Sequence, residues 1–389
     1  MRAGKTIFSQ VVERVHPEQF RRCVQRYGGN QRIRNFPCWE QFLAMSFAQL
    51  TYRDSLADIE TCLRSRPDQL YHMGFGSRIA HSTLADANRS RDWRIYHDLA
   101  QTLIARARRL YADDSFGVEL AQTVYALDST TIDLCLSLFP WACFRSTKAA
   151  VKLHTLLDLR GPIPTMIAIS DGKQADVNVL DDLVLEPGAF YVMDRGYVDF
   201  DRLYRFVLAG ACFVTRAKAG LRIHRLESRP VDGSTGVRSD QIVWLTLRRS
   251  LERYPDRFRR VSYRDPETNK GLVFLTNNFD LPPLVIAQLY KSRWRVKLFF
   301  KWIKQNLRIK HFFGTTDNAV KTQVWIAVCT YVLVAILRKE LGFELSLSQI
   351  LQVLSVNVFE QMPLVELVMK TASQNQTADS HNQLVFNMF

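Results

Sequence analysis

Two aspartates end apolar runs. Asp128 follows Val-Tyr-Ala-Leu and precedes Ser-Thr-Thr; Asp194 follows Phe-Tyr-Val-Met and precedes Arg-Gly-Tyr. Each stands where a strand would open into small or turn-forming residues. Two facing carboxylates cannot both stay charged at close range without a cation. Mg²⁺, or Mn²⁺ in its place, meets that need with oxygen ligands and keeps part of its hydration. Two such ions roughly 3.5–4 Å apart can activate water on one side of a phosphodiester and stabilise the leaving 3′-oxygen on the other. Taken singly, each aspartate reads as readily as a turn or cap residue. Asp133, Asp158 and Asp171 compete for the ligand role. Asp158 and Asp171 stand before Arg160 and Gly172 in apparent turns, and Asp133 is expected past the end of its strand.

The second chemical feature is Tyr290 to Lys310, which holds eight Lys or Arg and no carboxylate. It follows Leu-Pro-Pro, which predicts a helix with proline in its first turn. Apolar Leu289, Val296, Leu298, Phe299, Trp302 and Ile303 give that helix a buried face. Tyr290, Arg293, Lys297 and Lys304 recur at steps of three, four and seven, one stripe of a 3.6-residue helix. So many cations on a buried helix require an anion beside them, either carboxylates of the fold or phosphates from outside.

This stretch resembles the signature of the IS4 family of bacterial transposases, Y-x2-R-x3-E-x6-K. Tyr290, Arg293 and Lys304 match it, as does the surrounding RW…LFFKWIK wording. The family's catalytic glutamate falls at 297, where this chain has Lys297. The resemblance implies a DDE transposase that hydrolyses DNA at element ends and joins the free 3′-OH to target DNA. Asp128, Asp194 and position 297 would be its catalytic set, with Asp128 and Asp194 as metal ligands. Arg195 and Tyr197 of DRGY, with Tyr290, Arg293 and Lys304, match positions that hold terminal phosphates. The implied partners are double-stranded DNA, as terminal inverted repeats and as target, and a second copy in a homodimer on DNA. The implied place is the bacterial cytoplasm, on the nucleoid, with no membrane.

Lys297 puts a cation where that fold expects an anion. A lysine titrates near about 10.4, and its amine is a poor ligand for Mg²⁺. No Asp or Glu lies between Leu281 and Thr316 to replace the missing carboxylate. The alternative function is therefore a DNA-binding protein without catalysis that occupies element ends or inhibits active copies. A structure-selective nuclease on the same fold is a third reading, opposed by the Tyr-Arg-Lys stripe.

Composition agrees with a polyanionic partner: the formal charge is +14 over 389 residues. The seven cysteines are scattered and form no CxxC, which points to a reducing cytosol and no zinc site. No signal peptide is visible. The most apolar run, Val324 to Leu337, is too short to span a bilayer and is expected as a buried helix.

Around these features the periodicity predicts an α/β chain. Residues 1–118 read as an α-helical N-terminal domain for binding DNA, with Asp54 or Ser55 and Ser82 as caps and a helix-turn-helix-like segment at 78–94. A ribonuclease-H-like catalytic core is expected over 119–217 and 281–345, interrupted by an all-β insertion at 218–280. C-terminal helices at 346–371 and a disordered polar tail at 372–389 complete the division. Within the core, three strands, a helix, a strand, a helix and a strand follow in order. In that fold the first and fourth strands lie side by side, which would bring Asp128 to Asp194.

Overall fold

The computed structural model describes residues 4–145, 148–306 and 312–370. The expected tail at 372–389 and the end of the basic stretch at 307–310 lie outside the described residues. The chain divides into two compact units, one of residues 1–111 with 301–389 and the other of residues 112–300.

The first unit opens with six helices: α1 (Ile7–Val12), α2 (Pro17–Arg26), α3 (Cys38–Leu50), α4 (Leu56–Arg64), α5 (His81–Ser90) and α6 (Arg94–Leu110). Thr6 and Ser55 cap α1 and α4, each side chain accepting from a backbone N–H of the first turn. Ser82 does not act as a cap. It lies inside the first turn of α5, and Glu60 of α4 accepts from the His81 N–H at 3.0 Å instead. α5 stops at Arg91, inside the segment expected as helix-turn-helix-like. There the backbone turns extended, and the buried guanidinium donates to the Gln41 side chain and the Phe36 carbonyl.

The second unit is built on one mixed sheet. In chain order it holds β1 (Val124–Leu134), β2 (Cys143–Arg145), β3 (Lys148–Asp158), β4 (Ile163–Asp171), a 3-10 segment (Asp176–Asp181), β5 (Phe190–Met193), α7 (Phe200–Leu208), β6 (Cys212–Arg216), β7 (Ile223–Arg229), β8 (Val237–Leu245), α8 (Arg248–Arg253), β9 (Phe258–Arg264), β10 (Gly271–Thr276) and α9 (Pro283–Ser292). The helix after it, α10 (Trp294–Asn306), runs across the division between the units. The strands run β2-β3-β1-β5-β6-β10-β9-β8-β7, with β4 beside β3. β1 is antiparallel to β3 and parallel to β5, and β5 is parallel to β6. Three antiparallel strands followed by two parallel crossovers form a ribonuclease-H-like core. The strands of 218–280 join this sheet through the β10–β6 pair and so extend it.

Side chains alternate between the faces of a strand. Tyr125, Leu127, Tyr191 and Met193 pack on one face, in an apolar cluster with Phe206 of α7 and Val179 and Leu180 of the 3-10 segment. The alternate residues, Asp128 among them, face the other way. Beyond β6, the start of α9 is held from β9. Arg259 forks onto Asp240 of β8, with both nitrogen–oxygen distances 2.7 Å, and donates to the Leu281 carbonyl at 2.6 Å.

The chain then returns to the first unit with α11 (Asp317–Glu340) and α12 (Leu347–Asn357). The apolar run expected to be short belongs to a helix of 24 residues, long and apolar enough by composition to cross a membrane, yet 94% of its most apolar window is buried inside the protein. It is the central helix of this unit, packed on α3, α5, α6 and α12. Asn318 Nδ2 ties its first turn to the carbonyls of Asn88 and Arg91, at 2.9 and 2.7 Å. Ser346 and Gln349 form a capping box on α12.

Candidate active site

The ladder between β1 and β5 pairs Leu127 with Met193, so Asp128 and Asp194 come next on neighbouring parallel strands. α9 lies over β5 and β6 and supplies the groups that meet them. Tyr290 Oη donates to Asp194 Oδ1 at 3.1 Å, and Arg293 Nη1 donates to Asp128 Oδ2 at 2.6 Å. Asp128 Oδ1 accepts from the Ser129 N–H at 3.0 Å. The basic stretch is not one straight helix. α9 ends at Ser292 and α10 begins at Trp294; the N–H groups of Arg293 and Val296 bond back only three residues, at 3.2 Å each. That tightened turn lays the Arg293 guanidinium over the Tyr290 ring, 5.5 Å from its centroid.

The two carboxylates differ electrostatically. Burial pushes the Asp128 carboxyl above the usual range, and Asp194 adds to it; Arg293, the Ser129 N–H and Lys297 only partly offset this. Burial pushes Asp194 upward too. There the Arg195 N–H, the Arg293 charge, the Tyr290 hydroxyl and Lys297 together prevail, and its carboxyl lies below the usual range. Lys297 is exposed on α10 and acts on both through its field. Arg293, rather than Lys297, makes the close contact.

Two buried polar atoms here have no hydrogen-bond partner among the described residues: Arg293 Nε, and Oγ1 of Thr155, which pairs with Asp128 across β1 and β3. The donor set fits one hard cation between two carboxylates, with Arg293 moved aside. Among the described residues no third His, Cys, Asp or Glu joins the two carboxylates.

The other expected site residues fall differently. Arg195 is exposed on the short turn after Asp194. Tyr197, expected against DNA, is 2% exposed within the apolar cluster, so it offers no surface to a phosphate here. Lys304 lies half-buried on α10 within the first unit. Among the competing aspartates, Asp158 accepts from the Arg160 N–H, and Asp171 from those of Lys173 and Gln174, so both close turns. Asp133 is still inside β1, which runs on to Leu134, and is exposed. Sequence reasoning missed Ser129, Lys152, His154 and Asp176, which make a polar group on the far face of β1; the alternation around Asp128 was the available signal.

Comparison with known proteins adds two family matches. Residues 119–333 match the family described as Transposase DDE domain, and residues 3–76 match a domain of unknown function (DUF4372). A protein of Sinorhizobium fredii assigned as transposase y4zB is 30% identical over 260 residues, covering 65% of this chain and 70% of its own length. A Geobacillus stearothermophilus protein assigned as the transposase of insertion sequence element IS5377 is also 30% identical, over 66% of this chain and 67% of its own. A Synechocystis protein assigned as the transposase of element IS4SA is 23% identical over 82% of this chain and 88% of its own.

Proposed function

The chain belongs to the DDE transposase family and is a transposase of the insertion-sequence kind, and from that premise we propose that it binds the terminal repeats of its element as double-stranded DNA and cuts and joins DNA there by metal-dependent hydrolysis and transesterification on an IS4-type site, with Lys297 at the glutamate position lowering the activity of this copy. One observation carries this reading: Asp128 and Asp194 lie abreast on β1 and β5, with Tyr290 and Arg293 of the family stripe set directly against them.

In this reading Asp128 and Asp194 would hold Mg²⁺, or Mn²⁺ in its place, and the metal would supply activation of water and stabilisation of the leaving 3′-oxygen. The chain's own groups orient the DNA. Arg293, once released from Asp128, presents a forked donor to a phosphate beside the acid pair. Tyr290 holds one Asp194 oxygen at 3.1 Å. Arg195, exposed beside Asp194, adds charge on the backbone path. A homodimer would bring two ends together.

The alternative, a DNA-binding protein that occupies ends without cutting, is favoured by the Arg293–Asp128 pair and Lys297. Arg293 is bonded to Asp128, and Lys297 lowers the carboxyl values of both aspartates through its field. The test is end cleavage with Mg²⁺ and with Mn²⁺, comparing the chain with its Lys297→Glu variant on DNA carrying the inverted repeats that flank the gene. Cutting by the variant alone supports the site and a silenced copy. Equal cutting by both removes position 297 from the site. Binding without cutting by either moves the defect to the acid pair.

A further inference from the structure

Ser129 is bonded in two directions. Its backbone N–H donates to Asp128 Oδ1 at 3.0 Å, and its Oγ donates to Asp176 Oδ1 at 2.9 Å. Consecutive residues of a strand point to opposite faces, so the Asp128 carboxyl and the Ser129 hydroxyl lie on opposite sides of the sheet. Asp128 faces Arg293. Ser129 faces the side of Leu127, Tyr197 and the 3-10 segment that begins with Asp176.

Behind Ser129 the Asp176 carboxylate is itself fixed. Lys152 Nζ lies 3.0 Å from Asp176 Oδ1 and donates to the Gln174 carbonyl at 2.7 Å. His154, paired with Ser129 across the β1–β3 ladder, is 1% exposed; its Nδ1 lies 3.9 Å from the same oxygen and its Nε2 3.0 Å from Ser170 Oγ. The buried Tyr197 ring closes this side, and its hydroxyl feels both Asp176 and Asp128. The Asp176 side chain is 38% exposed, and an ion pair at that exposure adds little to folding.

We propose that Asp176 is a positioning residue for Asp128, acting through Ser129 from the opposite face of the sheet. Holding the Ser129 side chain from behind keeps its N–H on Asp128 Oδ1, so Oδ2 alone faces forward to a guanidinium or a cation. Hydrogen bonds to a ligating carboxylate orient it, and losing such outer partners typically weakens metal binding by about 10–100-fold. The proposal rests on Asp128 and Asp194 being the metal-holding pair.

The test uses the full chain carrying Lys297→Glu, titrated with Mn²⁺ and followed by the electron paramagnetic resonance of the free ion. Thermal unfolding and duplex DNA binding are measured alongside. Adding Asp128→Asn should abolish Mn²⁺ binding. Adding Asp176→Ala or Ser129→Ala should weaken it about tenfold, with Tm and DNA affinity unchanged. Asp176→Asn keeps an acceptor for the Ser129 hydroxyl and should recover most of the loss. If Asp176→Ala does not fold, Ser129→Ala decides the matter. Unchanged Mn²⁺ affinity in the Ser129 and Asp176 variants, with binding still lost in Asp128→Asn, overturns the proposal and leaves the acid pair standing. A Tm that falls in step with Mn²⁺ affinity also overturns it, as a purely structural effect. Mn²⁺ binding that survives Asp128→Asn, or is missing from Lys297→Glu itself, defeats the acid-pair reading instead.

Discussion

Arg293 Nη1 sits 2.6 Å from Asp128 Oδ2, so the carboxylate that would meet a cation already holds one. Both side chains are largely buried, 11% and 16% exposed. The pair sets a guanidinium directly against one of two neighbouring carboxylates.

Arg293→Ala removes that partner and should destabilise the fold by about 2 kcal/mol at neutral pH, less than for a fully buried pair. Burial already holds the Asp128 carboxyl above its ordinary value. A raised carboxyl binds its proton more tightly in the folded state, so ionising it costs stability as pH rises through the raised value. The variant enlarges that cost. Its deficit relative to the parent should therefore be full at neutral pH and shrink in acid, once Asp128 is protonated in both states. Urea unfolding at several pH values checks this. Added Mg²⁺ should recover part of the loss in the variant and little in the parent.

Asp194 titrates in the opposite sense. Its carboxyl is held below the ordinary value of 3.8, and one of the groups responsible is the Tyr290 hydroxyl. A depressed carboxyl contributes stability that is present above its unfolded value and lost as pH falls through the folded one. Tyr290→Phe should thus lower stability by about 1 kcal/mol above roughly pH 4, with the difference closing in stronger acid. A difference that persisted after Asp194 was protonated would assign the effect to the hydroxyl apart from the Asp194 charge.

The order of strands and the meeting of Asp128 with Asp194 were legible because both depend on local signals. An apolar β-branched run ends at each aspartate, and the fold fixes which strands are neighbours. The spacing of Tyr290 and Arg293 was legible too, but Lys297 and Lys304 of the expected stripe lie beyond a break in the helix. What the spacing did not carry was partner choice. Tyr290 and Arg293 meet carboxylates of their own chain, which depends on contacts 96 and 165 residues away in sequence. The break at Arg293 was hidden because no glycine or proline marks it. Tyr197 was placed outward by motif analogy, but its position relative to the Leu127 and Met193 face decides its burial. Strand β7 went unseen because its side chains 224–228 are all exposed, leaving no alternation to read.

Arg195 is exposed at the turn that follows Asp194. Arg195→Ala should weaken binding to duplex DNA of any sequence and lower the slope of log affinity against log salt by about 0.9, one phosphate contact. Fluorescence anisotropy across a salt series measures both. An unchanged slope would take Arg195 off the DNA path, while leaving the acid pair untouched.

The firmest stability prediction concerns Arg259 and Asp240, whose side chains are 2% and 3% exposed. Arg259→Met leaves a buried carboxylate without its partner and should cost about 3–5 kcal/mol. Replacing Asp240 by Leu as well removes the stranded charge, and apolar packing alone would then restore the fold. Full recovery is not expected, because Arg259 also donates to the Leu281 carbonyl at 2.6 Å, two residues before α9. The double variant should keep a deficit of about 1 kcal/mol from that unsatisfied carbonyl. It should also loosen the entry to α9, and with it the hydrogen bond from Tyr290 to Asp194. Urea unfolding of the single and double variants gives the energies. Repeating the Tyr290→Phe comparison in the double variant shows whether the anchor reaches the site. If Tyr290→Phe costs the same there as in the parent, Arg259 holds the sheet together without setting the position of α9.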